Sequence, residues 1–311
     1  MRRRSSSIRI LASLVVLAVI AVAPTAARAT SPRANGRLVF DRRAPGDTYE
    51  VYSMNPDGTG LVNLTNEPAN DRDPSVSPDG SKIAFRTDRD GNDEIYIMNF
   101  DGSNPTRFTN DPGLDSAPAW SSDGSAIVWT RASGGPPFIH IMNVDGTNDH
   151  VVGIGGFPQF SPDGTKIAVT RRVDPADPDS LAVFVMNADG SHLRQVTPNE
   201  IHGALQDWSP DGNRLVFSSA VCDACAESDL YTIKANGKDL RRLTYYVGTG
   251  VNAHEPAWSP NGKQIVFTHW DDQTFTTADL FVVNIDGTGI QNLTNTSLVE
   301  READWQPLVG D

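Results

Sequence analysis

A short turn followed by a strand returns along the whole chain, and this motif most restricts the fold. In Ser77–Phe85, an Asp-Gly pair comes shortly before a short apolar run. Such pairs suit the positive φ angles of tight hairpin turns. Equivalent pairs precede apolar runs at Asn35-Gly36, Asp79-Gly80, Asp123-Gly124, Asp163-Gly164, Asp211-Gly212 and Asn261-Gly262. We therefore predict six tight turns, each leading into a strand.

Each repeat predicts four strands, which we name a to d in chain order. Strand a ends at the Ser before the turn, and strand b is the apolar run after it. Strand c, such as Glu94–Asn99, is followed by a second Asp-Gly or Asn-Gly turn, and strand d closes on Thr in most units. The third unit has Val151-Val152-Gly153 in that place. Repeats made only of strands, about 40 to 50 residues apart, favour a β-propeller.

The count of strand a predicts how the ring closes. Complete copies of strand a end at Ser77, Ser121, Ser161, Ser209 and Ser259, one fewer than the copies of strands b, c and d. Ala303–Pro307, near the end of the chain, matches Gln206–Pro210 in spacing. We predict an all-β, six-bladed propeller of four-stranded antiparallel blades. The C-terminal strand should pair with the N-terminal blade, because closure removes an open sheet edge.

The first residues have the pattern of a secretory signal. Arg2, Arg3, Arg4 and Arg9 precede the apolar run Ile10–Ala23, and Ala27-Arg28-Ala29 places small residues at a cleavage site. This predicts a signal peptide over 1–29, a short linker over 30–34 and a propeller over 35–311. The apolar run has 14 residues, short for a membrane span, and an uncleaved anchor is the alternative. We expect a secreted or periplasmic chain with no membrane span after cleavage.

The charge of the exported part argues against one class of partner. The whole chain has a net charge of −13, and loss of five signal arginines leaves 21 basic against 39 acidic residues, or −18. Such a domain repels phosphate backbones, so we expect no nucleic-acid partner. We expect a monomer.

Two repeated residue types are predicted to fill the core. Met54, Met98, Met142 and Met186 take one position on strand c, and Trp120, Trp208, Trp258 and Trp305 take one at the end of strand a. Fixed places on alternating strands indicate packing between blades rather than a metal site or a stacking platform.

The segments Pro74–Phe85, Asp90–Asn99 and Pro256–Gly262 resemble the WD-like repeats of the TolB C-terminal propeller family. The resemblance covers nearly all of the predicted mature chain. It implies an exported six-bladed propeller that binds protein partners and has no catalytic residues to transfer. The repeats also resemble the propeller of prolyl oligopeptidase-type peptidases, but no Gly-x-Ser-x-Gly nucleophile elbow occurs.

Function is expected on the face that carries the b–c and d–a loops, because these loops vary most in length. The d–a loops are predicted to surround the mouth of the central channel. The candidate binding residues there are Asp71, Arg72, Asp73, Asp115, His202, Asn252, His254, Glu255, Glu300, Arg301 and Glu302. They would bind a protein segment, a small polar ligand or a cation. The alternative is a hydrated channel without a ligand.

The b–c loops hold three further candidates. Asp88–Glu94 and Asp174–Asp179 offer oxygen ligands of the type that Ca²⁺ prefers, although neither has the spacing of a helix–loop–helix calcium site. Cys222 and Cys225 predict a small loop disulfide in an exported protein. His269–Phe275 predicts a loop with exposed aromatic side chains, which would either anchor a partner or fold back as a lid.

Two functions follow as hypotheses. The first is a non-catalytic protein-binding or scaffold module of the cell envelope or secreted medium, with no cofactor and no resident metal. The alternative is a calcium-dependent hydrolase similar to propeller lactonases or phosphotriesterases. Its carboxylates and amide would come from Asp71, Asp115, Asn252, Glu255 and Glu300.

Overall fold

The computed structural model describes residues 33–43, 48–177, 179–220, 227–246, 248–271 and 276–308. The predicted signal peptide lies outside these residues. The described part contains strands and turns and no helix. Accordingly, no described helix is long and apolar enough to cross a membrane.

Twenty-four strands form six four-stranded sheets. Blade 1 contains β1 (Ala34–Arg43), β2 (Tyr49–Met54), β3 (Val62–Asn63) and β24 (Glu300–Leu308). Blade 2 contains β4 (Asp71–Val76), β5 (Lys82–Thr87), β6 (Glu94–Asn99) and β7 (Thr106–Arg107). Blade 3 contains β8 (Leu114–Trp120), β9 (Ala126–Ala132), β10 (Phe138–Asn143) and β11 (His150–Ile154).

The remaining three blades repeat the same order. Blade 4 contains β12 (Gly156–Phe160), β13 (Lys166–Arg172), β14 (Leu181–Asn187) and β15 (Arg194–Gln195). Blade 5 contains β16 (His202–Trp208), β17 (Arg214–Ala220), β18 (Ser228–Lys234) and β19 (Arg241–Arg242). Blade 6 contains β20 (Asn252–Trp258), β21 (Gln264–Trp270), β22 (Ala278–Asn284) and β23 (Gln291–Asn292).

The ring closes through the two ends of the chain. The order of the first sheet is β24-β1-β2-β3, and β1 pairs antiparallel with β24. In this register Leu38 lies opposite Trp305, and Val39 lies opposite Asp304. The predicted six-bladed propeller and its closure are therefore confirmed.

The repeated Ser-Pro-Asp-Gly turn is held by its own side chains. In blade 2 the Ser77 hydroxyl donates to Asp79 at 2.6 Å and accepts the backbone N–H of Lys82 at 2.9 Å. Gly80 takes a φ of 72°, which residues with a β-carbon rarely adopt. Asn35-Gly36 was wrongly predicted to form such a turn. Those residues lie inside β1. The strand that pairs with β1 on its inner side is β24, from the other end of the chain, so no turn connects the two strands at this point.

The core consists of apolar layers between neighbouring blades. Between blades 1 and 2, for example, Val39 and Val51 pack against Phe85 and Met98. The four strand-c methionines are buried, and so are Trp208, Trp258 and Trp305, as predicted. Trp120 differs from these three because it is only half-buried.

The outer strands of most blades are held by a threonine that ends strand d. In blade 2, Thr109 donates its hydroxyl to Glu94 at 2.6 Å and accepts the backbone N–H of Ile95 at 2.9 Å. Thr65, Thr197, Thr244 and Thr294 accept the equivalent N–H in blades 1, 4, 5 and 6. Blade 3 has Phe138 in place of Glu94 and Gly153 in place of Thr109, so it lacks this clamp.

Candidate functional site

A β-bulge in each innermost strand shapes the central channel. At each bulge one residue takes a left-handed conformation with φ between 49° and 56°. The six residues are Asp73, Ala117, Phe157, Leu205, Glu255 and Glu302. Because all six blades share this conformation, it belongs to the architecture, whereas the residue type at each bulge is free to define a site.

These six residues surround a cavity of about 140 Å³ and divide it into two halves. Blades 6, 1 and 2 contribute Glu255, Glu302 and Asp73, which we call the acidic arc. Blades 3, 4 and 5 contribute Ala117, Phe157 and Leu205, which we call the apolar arc. Phe157 is 45% exposed, so an aromatic ring stands open in the channel.

The strand behind the bulges explains part of this division. In blades 3 and 4, the Thr130 and Thr170 hydroxyls accept the backbone N–H groups of Phe157 and Leu205, both at 3.1 Å. The same strand-b position holds Asp41 in blade 1 and Arg86 in blade 2. A charged wall therefore lies behind the acidic half of the channel in blades 1 and 2, whereas blades 3 to 6 have hydroxyl groups at this position.

The charges of the acidic arc are strongly coupled. Arg86 lies 3.2 Å from Asp73, and Glu302 accepts the backbone N–H of Asp73 at 3.1 Å. Burial raises the pKa of Asp73, but Arg86, Glu302 and the Ala117 N–H outweigh it, so this pKa falls to about 2. Burial and the neighbouring carboxylates raise the pKa of Glu302 well above its ordinary value. These opposite pKa shifts favour a bound proton on Glu302 rather than on Asp73.

Two arginines and a tyrosine form the wall next to the acidic arc. Arg301 lies 3.2 Å from the fully buried Asp41, whose pKa is raised to about 7, mainly by burial. The Arg72 and Arg301 guanidinium carbons lie 3.9 and 4.8 Å from the centre of the Tyr49 ring. Tyr49 thereby orients both arginines through cation–π contacts.

Two further carboxylates line the cavity and connect blades. Asp207 accepts the backbone N–H of Trp258 in the next blade at 2.7 Å, and Asp304 accepts that of Val76 at 2.7 Å. Burial raises their pKa values to about 7 and about 6. These side chains hold the inner strands together around the cavity.

The structure brings only part of the predicted site together. Asp73, Glu255 and Glu302 line the cavity, and Arg72 and Arg301 lie on its charged wall. The predicted d–a loop positions are mostly strand positions, because pairing between strands a and b continues beyond the bulge.

Three predicted residues point away from the channel. Asp71, Asp115 and Glu300 are fully buried within their own blades. Arg89 contacts both Asp71 oxygens at 3.1 and 3.2 Å, and Arg131 contacts both Asp115 oxygens at 2.7 Å. Arg42 lies 3.1 Å from Glu300. Each carboxylate is thus neutralised by an arginine of the same sheet or its b–c loop, so these three do not converge on one ligand.

The remaining predicted residues are scattered along the inner strands. His202 contacts the carbonyl oxygen of Asp179 at 2.7 Å. His254 is half-buried beside Glu255, and burial lowers its pKa. Asn252 is fully buried, and its amide has no hydrogen-bond partner among the described residues.

The b–c loop candidates have different outcomes. Asp88 accepts two hydrogen bonds from Asn70, and Glu94 holds Thr109, so these acids already have partners. His269 and Trp270 are buried at the end of β21, so these two side chains are not exposed as predicted, whereas residues 272–275 of the predicted loop lie outside the described residues. Trp270 packs with Ala278, Val299 and Tyr49 of blade 1, and the His269 ring centre lies 4.1 Å from that of Phe281. Cys222 and Cys225 lie outside the described residues.

The sequence prediction missed the apolar arc and the two charged residues Asp41 and Arg86 behind the acidic arc. Phe157 and Leu205 had no polar signal, and Asp41 and Arg86 lie inside strands that otherwise follow an apolar pattern. An alignment of the six internal repeats would reveal Asp41 and Arg86, because the other four blades have Thr or Ser at that position. Among the described residues, no three His, Cys, Asp or Glu side chains are arranged to hold a metal ion.

The comparisons with known proteins agree with this architecture. The family model of the TolB beta propeller domain matches residues 15–152 and 148–308. TolB from Acinetobacter baumannii is similar at 21% identity and a TM-score of 0.76, over 88% of this chain and 67% of that chain. A putative TolB from Agrobacterium tumefaciens is similar at 16% identity and a TM-score of 0.68, over 88% and 100%.

A propeller in a nidogen/laminin complex is similar at 12% identity and a TM-score of 0.68, over 87% of this chain and 98% of that chain. At these identities the solved structures show the fold alone. The match of the family model over most of the chain shows more than the fold. This chain belongs to the TolB β-propeller family.

Proposed function

We propose that this chain is an exported, non-catalytic propeller that binds a segment of a protein partner at its central channel. The observation that supports the proposal is the division of the channel into an acidic arc and an apolar arc. A segment with a cationic group beside an apolar side chain complements both halves at once. The predicted signal peptide supports action in the cell envelope or the secreted medium.

The apolar arc would supply most of the contact area with the bound segment, and the acidic arc would orient the segment through its cationic group. The exposed Phe157 ring offers a rigid aromatic surface of the kind that dominates binding energy in protein interfaces. The ionised Asp73 lies across the same cavity and would attract an amine or a guanidinium group. Family membership favours a protein partner, and a nidogen/laminin complex contains a similar propeller.

The test is affinity capture from cell-envelope extract with the exported chain as bait. Phe157→Asn should abolish capture of the specific partner while leaving the fold intact, because Asn tolerates the left-handed φ of 52° at this position. Ile285→Asn is the matched control, since Ile285 is 46% exposed on a c–d turn and does not line the channel cavity. Capture of the same proteins by wild type and Phe157→Asn would contradict the channel as the site.

A chelator tests the hydrolase alternative. A metal bound only by the native state raises the melting midpoint, so its removal should lower it. If EDTA lowers the midpoint and abolishes an esterase activity, the non-catalytic proposal is wrong.

A further inference from the structure

The seam between blades 2 and 3 is open where the other seams are closed. In the six c–d turns, all of which are described, a glycine faces strand d of the preceding blade. A β-carbon at Gly58, Gly102, Gly190, Gly237 or Gly287 would lie within 3.2 Å of a carbonyl oxygen of that strand. At Gly146, in blade 3, it would have no atom within 4 Å. The turn of blade 3 therefore stands away from blade 2.

A cleft of about 610 Å³ occupies this open seam. Its apolar lining includes Ile97, Phe108, Trp120 and Val144. Trp120 is half-buried there, whereas Trp208, Trp258 and Trp305 are at most 8% exposed. The cleft therefore displays part of an indole ring that the equivalent closed seams cover.

The side chain at one position of the c–d turn differs between the two blades. The turn residue that precedes the Asp-Gly pair is Phe100 in blade 2 and Val144 in blade 3. Phe100 packs against the apolar layer between blades 1 and 2. Val144 is smaller and stays 42% exposed. At the position where Phe100 packs between blades 1 and 2, the seam between blades 2 and 3 therefore has a smaller and more exposed side chain.

The outer edge of blade 3 carries a second exposed apolar surface. Without the threonine clamp, β11 runs for five residues, whereas the other strands d have two. Phe138, Val151 and Ile154 at this edge are 40%, 49% and 42% exposed. In the register of the sheet, Phe138 lies opposite Ile154, and His140 lies opposite both Trp129 and Val151. Trp129 contacts Phe108 of blade 2, so this apolar row borders the same seam.

The charges around the cleft indicate the kind of segment that fits. Asp79 and Asp123 line the cleft, and Asp101 and Asp145 stand in the two adjoining c–d turns. Hydrogen bonds from neighbouring Ser or Thr residues keep all four carboxylates ionised. Two cationic side chains also line the cleft: Lys82 contacts the Asn99 amide oxygen at 3.4 Å, and Arg107 is paired with Glu94. The cleft is therefore apolar inside and negative at its rim.

We propose that the seam between blades 2 and 3 is a second docking site, which binds an extended segment of a different protein through an apolar side chain flanked by lysine or arginine. The apolar side chain would enter the cleft beside Trp120, and the flanking cations would meet the turn aspartates. The open edge of β11 would accept backbone hydrogen bonds from the same segment. A second copy of this chain is a poorer occupant, because its net charge of −13 opposes close approach.

The test uses a defined probe, the fluorescein-labelled peptide Lys-Lys-Leu-Trp-Val-Leu-Lys-Lys, and a partner peptide with Glu in place of every Lys. Fluorescence anisotropy with the exported chain at low ionic strength should give saturable binding of the Lys peptide, with a Kd on the order of 10 to 100 µM. The Glu peptide should bind at least about tenfold more weakly, and salt should weaken the Lys peptide.

Variants locate the binding. Val144→Asp and Val144→Phe should each weaken the Lys peptide by about tenfold or more, the first by placing a charge in the cleft and the second by filling it. Ile285→Asp is the control, because Ile285 takes the same turn position in blade 6 and is 46% exposed. Melting curves should show that all three variants are folded.

The opposite results would overturn the proposal. These are absence of saturable binding by the wild type, equal binding of the Glu peptide, unchanged binding by both Val144 variants, or equal loss in Ile285→Asp. Sedimentation provides a further check. If the wild type is a dimer and Val144→Asp is a monomer, the occupant of the cleft is a second copy of this chain and the proposal of a different protein is wrong. Phe157→Asn should retain the peptide binding that Val144→Asp weakens. The reverse pattern would place the peptide in the channel and overturn the proposal, so this test and that of the channel can fail separately.

Discussion

At the scale of single residues, carboxylates in the channel wall combine a structural role with an unusual ionisation. Asp207 accepts backbone N–H groups from Trp208 in its own blade and Trp258 in the next, both at 2.7 Å. Burial raises its pKa from 3.8 to about 7, although these hydrogen bonds oppose the shift. A raised pKa means that folding favours the protonated form.

Asp207 should therefore make stability depend on pH near neutrality. Its contribution is fully present below the unfolded-state pKa near 4 and is lost as the pH rises through about 7. Asp207→Asn removes this ionisation and keeps one acceptor oxygen for a backbone N–H. We expect the free energy of unfolding to fall less between pH 5 and pH 8 in the variant than in the wild type, as measured by urea denaturation.

Asp286→Asn is the control for this prediction. Asp286 is exposed in a c–d turn, and hydrogen bonds from Thr288 lower its pKa. A lowered pKa changes stability only in more acidic solution, so this variant should retain the wild-type slope between pH 5 and pH 8. Identical slopes in wild type and Asp207→Asn would show that Asp207 is ionised throughout this range.

At the scale of the blade, the outer edge is where the repeats diverge. In five blades, strand d is short and is followed by a threonine whose hydroxyl accepts a backbone N–H of strand c. Blade 3 replaces the acid and the threonine of this clamp and extends its edge strand instead. Edge strands that are short and capped resist pairing with other chains, and a longer apolar one invites it.

The clamp should contribute measurably to stability. Thr109→Val preserves the shape of the side chain but leaves the backbone N–H of Ile95 and a Glu94 oxygen without the hydroxyl. Because these groups are buried, we expect a loss of about 1 to 3 kcal/mol in the free energy of unfolding. Thermal or urea unfolding measures it.

Thr106→Val in the same strand provides the comparison. Thr106 is exposed, and its hydroxyl contacts only the Asn104 carbonyl oxygen at 3.3 Å. Its replacement should change stability by less than about 0.5 kcal/mol. Equal effects of the two substitutions would mean that the clamp adds nothing beyond ordinary β-strand packing.

At the scale of the whole molecule, stability depends on joining the two ends of the chain. The inner strand of blade 1 comes from Glu300–Leu308, and its Trp305 packs with Leu38, Phe40 and Val266. This layer joins blades 6 and 1. The last strand therefore completes one blade and buries the face of its neighbour.

Trp305→Ala should weaken the entire ring. Trp305 is 3% exposed, and removal of a buried tryptophan typically costs about 3 to 5 kcal/mol. Leu308→Ala in the same strand is the control, since Leu308 is 44% exposed and should cost less than about 0.5 kcal/mol. Unfolding curves measure both losses. Equal melting midpoints for Trp305→Ala and Leu308→Ala, each in a single cooperative transition, would contradict closure of the ring through β24.

Several features were predictable from the sequence because their causes are local. The Asp-Gly turns, the alternating apolar strands and the Ser hydroxyl that caps each turn act over a few residues, so their spacing determined the number of blades and strands. The match between Ala303–Pro307 and Gln206–Pro210 also determined the closure of the ring, because a repeat lacking its inner strand must obtain it elsewhere.

Other features were decided only by the tertiary structure. Side-chain direction depends on the bulge in each inner strand, which turned Asp73, Glu255 and Glu302 into the channel. Asp71, Asp115 and Glu300, two residues before these positions or their equivalents, remained within their sheets. The apolar arc and the open seam arise from residues far apart in sequence, such as Phe157 with Leu205 and Val144 with Phe108. Such contacts depend on how whole blades pack, and no local pattern specifies that packing.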